Sequence, residues 1–243
     1  MENSIIKTQE ISLVEEKFLD KRVQRRSFLK YAGAGAAGIA LVAAGCKRSD
    51  HSSLMDEMPA AGVSFGMGDV GILNYAYALE QLEAAFYTQV INSKFGGMTA
   101  TETALLTDIR DHEIAHREFF KAAITAAGAT PIGNLEVNFS TIDFGNRASV
   151  LGTAKAFEDL GVAAYDGVGY LLKTDAYLVL AGKIVSVEAR HAAYIRELLE
   201  VNSFLGDQVD AYSVNVSKTP LEVLAIAGTY IKTKIDPSSL PTS

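Results

Sequence analysis

The sequence predicts an all-α protein: a four-helix bundle of two antiparallel helix hairpins joined by one long crossover, plus a short fifth helix near the C terminus. Three observations favour this fold class. From residue 69 onward, apolar residues recur at spacings of three and four, as in helices that bury one face. The same region has few prolines and no convincing strand-like alternation. The connections within the hairpins are short, whereas the one between them has about seventeen residues.

The first hairpin is marked by a turn signal and a helix start. Its first helix covers about residues 71–92 and ends at the sequence KFGG of residues 94–97. Thr99 and Glu102 form the capping-box pattern that opens the second helix, which continues to about Gly128.

The second hairpin follows an extended segment rich in Gly, Asn and Thr. In order, we predict a crossover at 129–145, a third helix at about 146–172, a tight turn at 173–175 and a fourth helix at about 176–202. At roughly 3.3 Å per residue, the crossover is long enough to run the length of a neighbouring helix. Pro220 is well placed as the first residue of a fifth helix at 221–233.

Composition restricts the partners and the kinds of site. The chain has 243 residues and a formal charge of -7, with no basic stripe, so nucleic acid is not expected as a partner. A single cysteine excludes an internal disulfide and a thiolate metal cluster. A metal site in this chain would therefore need oxygen and nitrogen ligands.

The first 45 residues have the features of an export signal. The sequence RRSFLK, which begins with Arg25 and Arg26, resembles the twin-arginine signal and precedes a short Ala/Gly-rich apolar segment. The following AAGC resembles a lipobox, in which Cys46 would become the lipidated first residue. The alternative is cleavage by ordinary signal peptidase, which would leave Cys46 as a free thiol. We therefore expect a periplasmic or cell-envelope protein, anchored to a membrane through Cys46.

Four segments follow from these boundaries. They are a signal peptide at 1–45, a flexible tether at 46–68, the four-helix bundle at 69–205 and a C-terminal extension with its short helix at 206–243.

Acids and imidazoles interrupt the apolar stripes of the four predicted helices. The first and third helices each place one glutamate in the stripe, whereas the second and fourth each place Glu-x-x-His there. The six residues are Glu80, Glu113, His116, Glu158, Glu188 and His191. Counted from the two hairpin turns, the glutamates of each hairpin lie level within about one helical turn. The six side chains are therefore expected to converge in the middle of the bundle.

This convergence predicts a dinuclear metal site. Four carboxylates in an apolar interior cannot all stay ionised without partners. Two divalent cations would balance them, with two bridging carboxylates, two terminal ones and one imidazole for each metal. Such a donor set suits iron or manganese. The alternative is a solvated bundle face on which the histidines are incidental.

The two halves of the bundle also resemble each other. The sequence LEQLEAAFY at 79–87 aligns with FEDLGVAAY at 157–165, which pairs Glu80 with Glu158 and Tyr87 with Tyr165. An internal repeat of this kind indicates that the two halves contribute equivalent side chains to one centre.

At these residues the sequence resembles the ferritin-like superfamily of dinuclear carboxylate proteins. Within that superfamily, LNYAYALEQLEAAFY and the fifth-helix sequence TPLEVLA resemble exported ferritin-like proteins related to plant desiccation-related proteins. The resemblance covers about residues 69–233. It implies that the six residues are metal ligands and that Glu113 and Glu188 are the bridging ones.

Four neighbouring residues have open roles. Glu83 is either a seventh, mobile ligand, as in rubrerythrin-like sites, or an acid at the rim. His112 is expected to lie behind the ligands or on the surface rather than to bind metal. Tyr87 and Tyr165 either pack in the core or hydrogen-bond the ligands.

Three functions are compatible with these features. The first is a redox protein whose metal pair reacts with oxygen or peroxide, as a ferroxidase or a peroxide scavenger. The second is a non-catalytic metal-binding or stress-protective envelope protein. The third is an iron-storing shell, although an N-terminal lipid tether would hinder the assembly of a closed cage of subunits. The sequence leaves open which metal is bound, which residues are catalytic and whether the protein forms a homodimer.

Overall fold

The computed structural model describes residues 62–241 and is mostly helical, which confirms the all-α prediction. The signal residues Arg25 and Arg26, the lipidation candidate Cys46 and most of the predicted tether lie outside the described residues. Within the described part, the helices are α1 (Gly68–Asn92), α2 (Ala100–Ala126), α3 (Arg147–Val168), α4 (Asp175–Leu199) and α5 (Pro220–Ala227). None of these helices combines the length and the apolarity needed to cross a membrane.

Four of the helices form the predicted pair of hairpins. Helix α1 packs along α2, and α3 packs along α4, while α1 and α3 bring the two hairpins together. Helices α2 and α4 approach each other less closely. Helices α1 and α3 therefore form the interior of the bundle, and one face of α2 and of α4 remains open to solvent.

The crossover between α2 and α3 lies against α1. The side-chain oxygen of Asn74 accepts a hydrogen bond from the backbone N–H of Ile132 at 2.9 Å, and that of Gln81 accepts one from Leu135 at 2.8 Å. The crossover has no strand partner along most of its length, so these buried side-chain amides provide hydrogen-bond partners for its backbone N–H groups. As a result, the crossover covers one side of α1.

The helix ends agree with the predicted signals, with two differences in length. Thr99 and Glu102 form a capping box at the start of α2, and Pro220 is the first residue of α5. Helix α3 ends at Val168 and continues as a 3-10 turn, Gly169–Leu171, instead of reaching residue 172 as an α-helix. The predicted fifth helix was too long, because the chain tightens into a second 3-10 turn at Gly228–Tyr230 and is extended from Ile231.

Regular secondary structure is present within the predicted tether, before residue 69. Strand β1 (Val63–Ser64) pairs in parallel with β2 (Ile235–Asp236), and the side chain of Phe65 is buried in the core. The strands are too short for a sequence pattern to show them. This pairing joins the two ends of the described part, and the C-terminal extension reaches the same core through Leu240.

Candidate metal centre

The structure brings all six predicted side chains together inside the bundle. Helices α1 and α3 each provide one glutamate, while α2 and α4 each provide Glu-x-x-His, whose i,i+3 spacing puts both side chains on one helix face. The side chains of Glu113 and Glu158 are fully buried, and that of Glu188 is 1% exposed. The alternative of a solvated bundle face with incidental histidines therefore does not describe this arrangement.

The six residues form two overlapping groups of possible ligands. One group contains Glu80, Glu113, His116 and Glu188, and the other contains Glu113, Glu158, Glu188 and His191. Within each group, one atom from each residue lies within 4.8 Å of every other such atom. Only Glu113 and Glu188 belong to both groups, which is the arrangement that two bridging carboxylates would have.

The shortest contacts connect the two hairpins. His116 Nδ1 lies 2.8 Å from Glu188 Oε1, and His191 Nδ1 lies 2.9 Å from Glu113 Oε1. Each imidazole therefore faces the glutamate of the opposite hairpin. Although these atoms are close, they are not aligned as hydrogen bonds, and both Nδ1 atoms lack a hydrogen-bond partner.

Polar atoms without partners are concentrated in this cluster. Of the buried side-chain atoms without a hydrogen-bond partner in residues 62–241, eight belong to the six residues and two lie elsewhere, in Tyr75 and Asp166. Leaving one buried polar group unsatisfied costs about 1–3 kcal/mol, and more for a charged group. The eight atoms of the cluster converge, and none has a hydrogen-bond partner in the protein. Divalent cations are suitable partners for such a group of oxygen and nitrogen atoms.

The carboxyl groups of the cluster differ strongly in acidity without a metal. Burial raises the pKa of Glu80 well above its ordinary value, although His116 opposes this effect. Burial also raises the pKa of Glu158 to about 8, against the lowering effect of His191. Burial would raise the pKa of Glu113 too, but its contacts with the two histidines outweigh it and lower the pKa to about 2.

The two imidazoles are strongly basic when no metal is bound. Burial alone would lower the pKa of His116, but Glu113, Glu188 and Glu80 raise it to about 12. The pKa of His191 is also raised to about 12, since the neighbouring carboxylates again outweigh burial. Without a cation, the cluster therefore balances its charge by holding protons.

Two tyrosines form hydrogen bonds with Glu158 and Glu80 across the bundle. The Tyr87 hydroxyl on α1 donates a hydrogen bond to Glu158 Oε1 on α3 at 2.5 Å, and the Tyr165 hydroxyl on α3 donates one to Glu80 Oε1 on α1. Each half of the repeat thus orients the glutamate of the other half. The remaining oxygen of each glutamate faces the cluster, so the hydroxyls fix which oxygen is free for a cation.

Glu83 breaks the symmetry of the two halves. It is 6% exposed, and burial together with the charge of Glu158 raises its pKa well above the ordinary value. The repeat aligns Glu83 with Gly161, and a Cβ added at Gly161 would lie 3.3 Å from Glu83 Oε1. The glycine therefore leaves room for this carboxyl group, which lies on the side of Glu158.

His112 lies directly behind one of the histidines. Its Nδ1 is 2.9 Å from His191 Nε2, and the two ring planes are nearly parallel, inclined by 14°, with centroids 5.1 Å apart. Since His191 points its Nδ1 at the cluster, His112 occupies the other ring nitrogen and orients the imidazole. His112 is itself exposed, so this contact connects the cluster with the surface of α2.

Two features of this centre were not predicted. One is the crossed pairing of tyrosines and glutamates, and the other is the close approach of Glu83 to Gly161. The internal repeat held a signal for both, because it pairs the tyrosines with each other and aligns Glu83 with a glycine. Whether Glu83 binds metal, and whether the six residues act as ligands, remain predictions.

Comparison with known proteins gives one result for the fold and none for the function. The family model described as a ferritin-like domain matches residues 68–201, which include α1 to α4 and all six residues of the cluster. A search of curated proteins gives no match.

Proposed function

Because this chain belongs to the ferritin-like domain family, we propose that its buried cluster binds two divalent cations, iron or manganese, and that the loaded protein reacts with oxygen or peroxide. The observation that carries the proposal is the convergence of eight partnerless donor atoms in two groups that share two carboxylates. Without a cation, protons would balance the charge of the cluster, but those atoms would still lack hydrogen-bond partners in the protein.

The residues have distinct roles in this proposal. Glu113 and Glu188 would bridge the two cations, since both belong to each group. Glu80 with His116, and Glu158 with His191, would complete the two positions. A bound iron or manganese pair supplies electron transfer and Lewis acidity, while the protein holds the ligands in place and excludes water. Six protein ligands shared between two cations would leave room for a small oxidant to bind.

The route to the centre passes between α2 and α4 in this proposal. His116 is the most exposed of the six, with 13% of its side chain accessible, whereas the other five are at 6% or less. It belongs to α2 and contacts Glu188 of α4, and these two helices approach each other less closely than the helices within each hairpin do. Small ions and a small oxidant could reach the cluster on that side, but a large substrate could not.

The test compares the protein with a variant that lacks both shared carboxylates. The full chain is loaded with Fe(II) or Mn(II), and its metal content, oxidation of added Fe(II) and consumption of hydrogen peroxide are measured. Glu113→Ala/Glu188→Ala should lose bound metal and activity, whereas the control Glu118→Ala, at an exposed acid on α2, should keep both. Equal activity in the double variant and the unchanged chain would refute the redox proposal.

A second candidate is a protein that binds metal without turnover, as a stress-protective component of the envelope. The strong burial of five of the six side chains favours it, because structural metal sites are closed. This candidate predicts bound metal and a raised melting temperature with no reaction. Multiple turnovers with a defined oxidant would exclude it.

Export and lipid attachment complete the proposal. The twin-arginine route carries folded proteins, so it would allow the metal to be loaded before export. Arg25→Lys/Arg26→Lys should retain the protein in the cytoplasm, and Cys46→Ala should release it from the membrane fraction. Export of the double-lysine variant at the normal level would count against the twin-arginine route.

A further inference from the structure

An open groove of about 490 Å³ lies between α5 and the extended segment that follows it. Its apolar lining comes from both elements and consists of Leu221, Leu224, Ala225, Ile231, Ile235 and Pro237. The part of the lining that the structure describes includes no residue of the metal cluster. The groove is therefore a separate feature of the C-terminal extension.

Helix α5 has apolar side chains on its outer face as well as on its inner one. Val223 and Ala227 are fully buried against the core, whereas Leu221 is 52% exposed and Ile226 is 41% exposed. A surface helix normally places polar side chains outward. The one charged residue of α5 is Glu222, whose carboxylate is engaged in the capping box at the start of the helix. Within residues 62–241, the outer apolar face therefore has no partner that covers it.

Two exposed lysines stand at the groove. Lys232 and Lys234 both line it, and its described lining includes no acidic side chain. Glu136 lies 2.7 Å from Lys232, but both side chains are more than half exposed, so the pair is weak in water. Asp236 follows on β2 without lining the groove. In a chain of net charge -7, this combination of apolar side chains and lysines suits a surface with an apolar interior and anionic headgroups.

The predicted tether joins the described part of the chain beside this groove. The backbone N–H of Val63 donates a hydrogen bond to the carbonyl oxygen of Lys234 at 2.7 Å, and Val63 pairs with Ile235. Cys46, the predicted lipidation site, comes sixteen residues before Gly62, so at most about 55 Å of chain separates them. A membrane that holds a lipid on Cys46 is therefore within reach of the groove, and a contact there gains from the high effective concentration.

We propose that the groove and the outer face of α5 dock on an anionic membrane surface, the one that a lipid on Cys46 would enter. Leu221 and Ile226 insert at the boundary between headgroups and acyl chains, and Lys232 and Lys234 contact lipid phosphates. The inference rests on the proposed lipid attachment and deepens it, because it names the face that lies on the membrane. It requires no bound metal and no turnover.

The first test locates the membrane with a fluorophore on an introduced cysteine. The protein is purified after export and inserted into vesicles of phosphatidylglycerol and phosphatidylethanolamine that contain a spin-labelled lipid as quencher. Leu221→Cys carries the fluorophore on α5, and the control Ala104→Cys carries it at an exposed position of α2. The label at position 221 should be quenched several-fold more strongly than the label at position 104. Equal quenching at the two positions would overturn the proposal.

Charge reversal tests the part played by the lysines. Lys232→Glu/Lys234→Glu in the labelled Leu221→Cys protein should reduce the excess quenching several-fold. Lys121→Glu/Lys183→Glu makes the same change in net charge at exposed positions of α2 and α4 and should preserve it. An equal reduction in both variants would reflect net charge alone and would refute docking through this face.

Mass spectrometry of the unlabelled protein separates this inference from the proposed lipid attachment. A lipid-modified Cys46 with equal quenching at positions 221 and 104 would support the attachment and refute the docking face. An unmodified Cys46 would refute the attachment, and sedimentation of that protein with phosphatidylglycerol vesicles would still support the face, whereas failure to sediment would overturn it. A dimer that persists in vesicles and is lost in Leu221→Ser/Ile226→Ser would make this face a protein interface and would also overturn the proposal.

Discussion

Metal binding to this cluster should release protons, and the structure sets their number. The perturbation is the addition of two equivalents of divalent cation to the metal-free full chain at pH 7. The pKa values of His116 and His191 are both about 12, so both imidazoles carry a proton that a cation must displace. The pKa of Glu158 is about 8, so this carboxyl is mostly protonated as well, and burial shifts the pKa of Glu80 in the same direction. We therefore expect about three protons to be released at pH 7, from the two histidines and Glu158.

Isothermal titration calorimetry measures this release directly. The titration is repeated in buffers of different ionisation enthalpy, and the dependence of the observed heat on that enthalpy gives the number of protons. The number should fall as the pH rises through about 8, because Glu158 then loses its proton before the metal arrives. Release of fewer than about one proton at pH 7 would mean that the ligands are already deprotonated, and it would refute the proton-filled cluster.

The same protons determine how stability depends on pH. Where a pKa is raised on folding, the folded state binds more protons than the unfolded chain, so the free energy of unfolding falls as pH rises. For Glu158 this holds from about pH 4.5 to about pH 8, and for the two histidines it holds above about pH 6.5. The raised pKa of Glu80 acts in the same direction. The lowered pKa of Glu113 acts only below its ordinary value of 4.5. Urea unfolding in excess chelator should therefore show lower stability at pH 7.5 than at pH 5.5, and the opposite order would contradict the assignment.

Three further substitutions test the structure around the centre. Tyr165→Phe should lower metal affinity by roughly 10–100-fold in a chelator competition, because the hydroxyl that orients Glu80 is lost; Tyr75→Phe, at a hydroxyl without a partner, should not. Gly167→Ala should lower the free energy of unfolding in urea by more than about 2 kcal/mol, because the added Cβ would lie 1.8 Å from the backbone carbonyl oxygen of Lys218. Its control, Gly152→Ala, adds a Cβ in open space within α3 and should raise the free energy of unfolding by about 0.5–1 kcal/mol. Thr99→Ala should cost about 1 kcal/mol through loss of the capping box, and an unchanged transition midpoint would argue against that cap.

Much of the fold could be predicted because its signals are local. The alternation of three and four residues identified α1 to α4, and Thr99 with Glu102 and Pro220 identified two helix starts. Counting residues from each hairpin turn was sufficient to place Glu80 and Glu113 at one level, since the rise per residue of a helix is constant. The convergence of the six side chains follows from that counting together with the positions of the stripes.

The remaining features depend on packing between distant segments. Strand β1 has only two residues and pairs with a partner about 170 positions away in the chain, so no window of sequence reveals it. The fifth helix ends early because the chain must turn at Gly228 to reach that pairing. The contact of His112 with His191 depends on the rotation of α2 against α4, which periodicity does not determine to within one side chain.

The pairing of Glu83 with Gly161 has a consequence for how the centre would fill. If the two halves of the repeat were identical, exchanging the two cations would leave their surroundings unchanged. Glu83 removes that equivalence, because its carboxyl group lies on the side of Glu158, where the contact between His112 and His191 also lies. If two cations bind, one position would therefore have an additional carboxyl oxygen nearby and a second imidazole behind its histidine, and the other would have neither. Cations would enter the two positions in a fixed sequence, and a mixed pair of metals would adopt a single arrangement instead of two.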